Sequence, residues 1–222
     1  MARIPERRTG RPLRRVALAV AIFLACVCCF AVAPASGVPQ LLCAPTAQCS
    51  VSVSGGSSRG RTVDVVGDSI TYLSSPEIRR SLSSYSYTIR ATEGDTMDQM
   101  FPAIQELSAD PARDWVVELG TNDAREIGGD WSASYAQEVA ALQPEPCVLL
   151  VTVNPRIGAR AALIDRDMDW TALTNHHVHL LDWGTLEWDS PRWVDPDGIH
   201  PTAKGSAELA KLIRLALRQD CR

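Results

Sequence analysis

Apolar positions along this chain come in two alternating rhythms. Short β-branched or continuous apolar runs occur at Thr62–Val66, Tyr87–Ala91, Trp115–Leu119, Val148–Val153 and Val178–Leu181. Between them lie stretches that read as helices: Pro76–Tyr85, Met97–Leu107, Trp131–Leu142 and Ala203–Leu217. The last repeats apolar residues at Leu209, Leu212, Ile213 and Ala216, the spacing of one helix face. Runs apolar on both faces suit strands buried in a parallel sheet, with helices covering both sides. The pattern predicts an α/β fold with a parallel five-stranded sheet. In such sheets ligands bind where loops leave the carboxyl ends of the strands.

The segment ahead of this pattern has a different character. Arg7, Arg8, Arg11, Arg14 and Arg15 precede an uncharged apolar run from Val16 to Ala33, and small residues follow at Ala35, Ser36 and Gly37. That order reads as a secretory signal peptide over 1–37. The run is 18 residues long, so an uncleaved membrane anchor is the alternative. Residues 38–60 are rich in Ser, Gly and Pro and read as a linker, leaving 61–222 as the main domain. The expected location is therefore secreted or cell-envelope, with the membrane touched only through the N-terminal segment.

Charge and cysteines sharpen that picture. Without residues 1–37 the chain carries 16 basic and 25 acidic side chains, a net −9. Nucleic-acid binding needs clustered Lys or Arg and is not expected. Cys26, Cys28 and Cys29 fall in the apolar run, which leaves Cys43, Cys49, Cys147 and Cys221. An even number suits an oxidising compartment; Cys43–Cys49 and Cys147–Cys221 are the favoured pairings, and free thiols are the alternative.

Candidate chemistry lies in four words that follow the strands or precede the last helix. Gly67-Asp68-Ser69 supplies a serine at a strand-to-helix turn. Asp197-Gly198-Ile199-His200 supplies a base and an acid to orient it, because a serine hydroxyl attacks only when a base takes its proton. Donors for an oxyanion would be the Asn122 amide in Gly120-Thr121-Asn122-Asp123 and the backbone N–H groups of Gly94 and Ser69. Taken singly, each word is also an ordinary turn or helix cap. Asp68 and Asp123 suit loop-fixing hydrogen bonds. Trp183, Trp188 and Trp193 suit either a pocket lining or the packing of a long loop. His176, His177 and His179 have neither the spacing nor the neighbours of a metal site.

The ordered set Gly67-Asp68-Ser69-Ile70, Gly94, Gly120-Thr121-Asn122-Asp123 and Asp197-Gly198-Ile199-His200 resembles the four blocks of the SGNH (GDSL-type) hydrolases over residues 62 to about 217. The resemblance implies a flavodoxin-like three-layer α/β/α sandwich. It also implies a triad of Ser69, His200 and Asp197, with an oxyanion hole from Ser69, Gly94 and Asn122. The expected activity is hydrolysis of a short-chain or acetyl ester through an acyl-enzyme. O-acyl transfer to cell-envelope glycans, or a silent glycan-binding domain, are the alternatives. A softer likeness to exported bacterial SGNH domains runs from Val153-Asn154-Pro155-Arg156 through Leu181-Asp182-Trp183. With no phosphate-binding glycine loop and no zinc word, no cofactor or metal is expected. The expected partner is a small-molecule or glycan-linked ester, met by a monomer.

Overall fold

The structure, a computed structural model, describes residues 48–110, 113–125 and 129–221. The signal-peptide reading of 1–37 and residue Cys43 of the Cys43–Cys49 pairing lie outside the described residues. No helix among the described residues is long and apolar enough to cross a membrane.

One six-stranded sheet organises the fold. Its strands are β1 (Ser50–Gly56), β2 (Thr62–Gly67), β3 (Ser86–Thr92), β4 (Asp114–Glu118), β5 (Cys147–Val151) and β6 (Val178–Leu181), in spatial order β1-β3-β2-β4-β5-β6. The five strands from β2 to β6 are parallel, as expected, and have the flavodoxin-like order. The sixth strand corrects the five-stranded expectation: β1 runs antiparallel along β3, from Ser50 opposite Thr92 to Gly56 opposite Ser86. Its Ser-Val-Ser-Val-Ser alternation has strand period, but only Val51 is buried, so the segment looks like linker when judged by composition.

Helices cover both faces. On one, α1 (Ser69–Ser81) packs beside α7 (Ala203–Gln219), burying Ile70, Ile78, Leu209 and Ile213 over Val63, Val65 and Val116. On the other, α2 (Met97–Leu107), α4 (Trp131–Ala141) and α5 (Ala159–Thr174) bury Met97, Ile104, Tyr135, Ile164 and Met168 against Trp115, Val117 and Leu150. Consecutive β4 residues thus feed opposite cores, which is why that strand reads as an unbroken apolar run.

Four helices depart from expectation. Helix α1 begins at Ser69, seven residues before Pro76, which sits inside the helix and not at its start. Its buried face is made largely of Ser69, Thr71, Ser74 and Ser75, so no apolar period announces it; Ser74 Oγ meets Ser206 Oγ of α7 at 3.2 Å. The short α3 (Thr121–Arg125) and α6 (Trp183–Asp189) were not anticipated, nor was α5. Helix α5 hides Ala161, Ile164, Met168 and Thr171 while exposing Leu163, Trp170 and Leu173, which blurs its amphipathic signal.

The amino ends of the central strands are pinned by ion pairs, Arg113 to Asp64 at 3.3 Å and Arg61 to Asp114 at 2.5 Å. Arg61 also donates to the carbonyl of Cys221. There the Cys147–Cys221 bridge ties the end of α7 to β5, closing 74 residues of chain. Loop closure of that length is worth about 4 kcal/mol in the entropic account. Replacing both cysteines by alanine is expected to lower Tm by roughly 10 °C in a thermal melt. Turnover at 25 °C should survive, because the bridge lies at the end of the sheet away from the site.

Candidate active site

The order of the parallel strands reverses between β2 and β4, and a crevice opens there at their carboxyl ends. Ser69 follows β2 and Asn122 follows β4, so the two words flank this switch point. Gly67 makes the turn possible, since a Cβ there would stand 2.1 Å from Thr71 Oγ1 and 2.9 Å from the Glu118 carbonyl. Asp68 caps α1, its Oδ1 accepting the Ile70 N–H at 2.9 Å, which is the loop-fixing role expected of it. Ser69, the first residue of α1, therefore sits where backbone N–H groups have no intrahelical acceptor.

His200 reaches Ser69 from the far end of the chain. A narrow loop carries it: Val194 bridges Pro201, the Asp195 N–H donates to the His200 carbonyl, and Thr202 caps α7 through the Gly205 N–H at 3.1 Å. His200 Nε2 lies 3.1 Å from Ser69 Oγ, and His200 Nδ1 lies 2.5 Å from Asp197 Oδ2. The other Asp197 oxygen accepts the N–H groups of Ile199 and His200 at 2.9 and 3.0 Å. Burial pulls the Asp197 carboxyl up, but the hydrogen bonds from the His200 ring and these two N–H groups outweigh it and hold the carboxyl at about 2. It is therefore ionised at any working pH and can orient an imidazole. The relay is open to solvent: the side chains of His200 and Asp197 are 32% and 46% exposed, whereas Ser69 is buried at 5%.

Two of the expected oxyanion donors lie on the turns that follow β3 and β4. Gly94 takes φ +77° in the turn after β3, a conformation that favours glycine. Asn122 is held against the same turn, its amide donating to the Asp95 carbonyl at 2.9 Å and to Asp68 Oδ2 at 3.1 Å. Both of its N–H groups thus have acceptors here, and an oxyanion would have to share one of them. Asp123 Oδ2 accepts the Met97 N–H at 3.0 Å, fixing the start of α2.

Sequence reasoning missed two buried acids. Glu118, at the end of β4, accepts both the N–H and the Oγ1–H of Thr71, at 3.0 and 2.9 Å. It also hydrogen-bonds the Asp68 carboxyl, and burial raises both acids, Glu118 further because of the negative charge of Asp68. A proton held on Glu118 lets this pair stay buried beside the turn that carries Ser69. The signal was a lone glutamate in an apolar strand. Glu187, on α6, is 1% exposed, with neither oxygen in a hydrogen bond of good geometry, and burial pushes it up to about 8.

The three tryptophans divide. Trp183 stacks on Trp193 with ring centroids 5.8 Å apart, which is core packing. Trp188 lies in a groove beside the triad loop, with the Arg156 guanidinium 3.9 Å above its ring. Asn154 donates to the Gly198 carbonyl at 3.3 Å, tying the end of β5 to the same loop. His176 and His177 meet edge to face on the turn into β6, and His179 lies within that strand.

Comparison with known proteins agrees with this architecture. No protein-family model matches the chain. YrhL of Bacillus subtilis (strain 168), a proposed peptidoglycan O-acetyltransferase, is 27% identical over 161 residues, which is 71% of this chain and 24% of YrhL. The chain thus spans about a quarter of that relative's length. Among solved structures, the C-terminal catalytic domain of Streptococcus pneumoniae peptidoglycan O-acetyltransferase A superposes with TM-score 0.60 at 18% identity, covering 72% of this chain and 94% of that one. A lipolytic G-D-S-L family protein from Veillonella parvula DSM 2008 gives TM-score 0.60 at 19% identity, covering 73% and 100%. The chain has the SGNH-hydrolase fold.

Two outcomes follow from this geometry. Asp197→Asn should lower kcat, by less than the roughly 10,000-fold cost of the same change in a buried triad, because solvent screens an exposed relay. Asn122→Ala should cost about 100- to 1,000-fold in kcat, as removal of an oxyanion donor does. Steady-state kinetics with a chromogenic ester checks both.

Glu187 generates a pH prediction. Its folded pKa, about 8, lies above its ordinary value of 4.5, so the folded state holds the extra proton. The stability this brings is complete below about 4.5 and is lost as pH rises through about 8. Glu187→Gln should therefore match the parent at pH 5 and melt roughly 5–10 °C above it at pH 8. Thermal melts at the two pH values decide this.

Proposed function

We propose that this protein is an exported serine esterase that removes a short acyl group, acetyl in the first instance, through an acyl-enzyme on Ser69. The observation that carries this reading is the continuous relay from Ser69 Oγ through His200 to Asp197, at 3.1 and 2.5 Å. Export is supported by the basic, apolar and small-residue order of the N-terminus and by the Cys147–Cys221 bridge.

In the first half-reaction Ser69 Oγ attacks the ester carbonyl carbon and its proton passes to His200 Nε2. The resulting imidazolium is stabilised by the ionised Asp197. Negative charge gathers on the carbonyl oxygen and is met by the N–H groups of Ser69 and Gly94 and by the Asn122 amide. The carbon–oxygen bond to the alcohol then breaks, and the departing oxygen takes the proton from His200. In the second half-reaction His200 deprotonates a water, which attacks the acyl-enzyme. The same protonated histidine returns its proton to Ser69 as the carboxylic acid leaves. The half-exposed His200 supports hydrolysis, since water can reach the base that would activate it.

A second reading, O-acetyl transfer to a glycan hydroxyl, is favoured by the likeness to YrhL and to the pneumococcal catalytic domain. It uses the same first half-reaction and replaces water by a sugar hydroxyl in the second.

The test is turnover of acetyl, butyryl and octanoyl p-nitrophenyl esters with and without a glycan acceptor. Hydrolysis fastest on acetyl and abolished by Ser69→Ala supports the esterase. Acetyl appearing on the glycan faster than in water selects the transferase. Turnover that persists in Ser69→Ala rules out both.

A further inference from the structure

We propose that the groove formed by Arg156, Trp188 and Glu187 beside the triad loop seats the alcohol portion of the ester, and that this portion is a pyranose sugar. The inference rests on the serine-esterase reading for its direction, and on the groove's own chemistry for its ligand.

The groove encloses about 300 Å³. One wall is the loop from Val194 to Gly198, which contains Asp197 and leads directly to His200. The opposite side comes from α6 and from the single 3-10 turn at Pro155–Ile157. Asn154 joins the two by its hydrogen bond to the Gly198 carbonyl. A group seated there extends from the reacting centre on the His200 side. That is where the leaving alcohol must stand to receive a proton from this histidine.

Three features define what fits. Trp188 offers a half-exposed aromatic face, 39% accessible, and the guanidinium of Arg156 holds the ring in place from 3.9 Å. An indole face suits the axial C–H groups of a pyranose. Glu187 lines the groove with both oxygens buried and unpartnered, although Asn154 and the Trp183 indole are near. A buried carboxylic acid left in that state is costly, and a ligand hydroxyl that both donates to it and accepts from it removes the cost. Asp195 adds an ionisable acceptor and Arg156 a planar fork of donors at the mouth. Aromatic platform, neutral acid, acceptor and donor fork together match the alternating hydroxyls of a sugar.

The same features reject other occupants. A fatty-acyl chain would offer no hydrogen bond to Glu187 and would take the charged groups of Arg156 and Asp195 out of water. A polyanion would meet Asp195 and a net acidic protein. The groove thus reads the alcohol side of the substrate, and the sugar determines specificity more than the acyl group does.

The test compares kcat/KM for a mono-O-acetylated methyl glucopyranoside with that for p-nitrophenyl acetate, in the parent, Trp188→Ala, Trp188→Phe and Arg156→Ala. The ratio of sugar ester to p-nitrophenyl acetate is expected to fall at least tenfold in Trp188→Ala and Arg156→Ala, chiefly through KM. It should return most of the way in Trp188→Phe, which keeps an aromatic face. An unchanged ratio overturns the proposal, including the case where both esters slow together as in a purely structural defect. Calorimetric titration of the deacetylated glucoside into Ser69→Ala, with and without Trp188→Ala, reads the groove independently of catalysis. Binding that Trp188→Ala removes supports the groove even if every ester is inert, in which case the esterase reading alone falls. Absence of binding in a protein that turns over p-nitrophenyl acetate overturns the groove and leaves the esterase reading standing.

Discussion

The Asp68 N–H donates to the Glu118 carbonyl at 3.2 Å, extending the ladder between β2 and β4 by one rung beyond their last paired residues, Gly67 and Glu118. The position of the nucleophile depends on that rung. It holds the turn after β2 against the end of β4, with Ser69 on one side of the crevice and Asn122 on the other. Gly67 is required because no Cβ fits between Thr71 and Glu118. The side chains repeat the theme, with Asp68 bonded to Ile70 and Asn122, and Glu118 to Thr71. Asp68, Glu118, Thr71 and Asn122 thus form one hydrogen-bonded unit around Ser69, the candidate nucleophile, and His200 needs only to be delivered to it.

Delivery is by a loop closed on itself. The bridge between Val194 and Pro201 and the Thr202 cap fix its base, and Asp197 folds back on the N–H groups of its own loop while orienting the imidazole. The acid and base therefore form a local module four residues long, held by hydrogen bonds within its own loop. Negative charge around the site is handled differently: Asp68, Glu118 and Glu187 are buried, and burial raises all three. Keeping protons on Glu118 and Glu187 limits the charge that would otherwise oppose a developing oxyanion.

Most of the site was legible because its chemistry is written in short words at strand ends. Ser69, Asp197, His200, Asn122 and Gly94 all fall where the alternation of strands and helices places loops, and the structure joins Ser69, His200 and Asp197 in one relay and ties Asn122 to Asp68 and Asp95. The five parallel strands were legible for the same reason, each being a continuous apolar run. What stayed hidden has no apolar signature. The buried face of α1 is built from serine and threonine, β1 from alternating serine and valine with one buried position, and α5 exposes Leu163, Trp170 and Leu173. Glu118 and Glu187 were missed because a sequence does not show that a carboxyl is buried; only packing around it does. The split of the tryptophans, Trp183 and Trp193 into the core and Trp188 into the groove, is likewise decided by tertiary contact alone.

The central claim is that Ser69 is a nucleophile activated by His200, and covalent labelling tests it most directly. Treatment with a fluorophosphonate, followed by intact-protein and peptide mass spectrometry, should add one phosphonyl group to the peptide containing Ser69. Labelling should be at least a hundredfold slower in His200→Ala. An adduct on another residue, or labelling of Ser69 at the same rate without His200, would contradict the account.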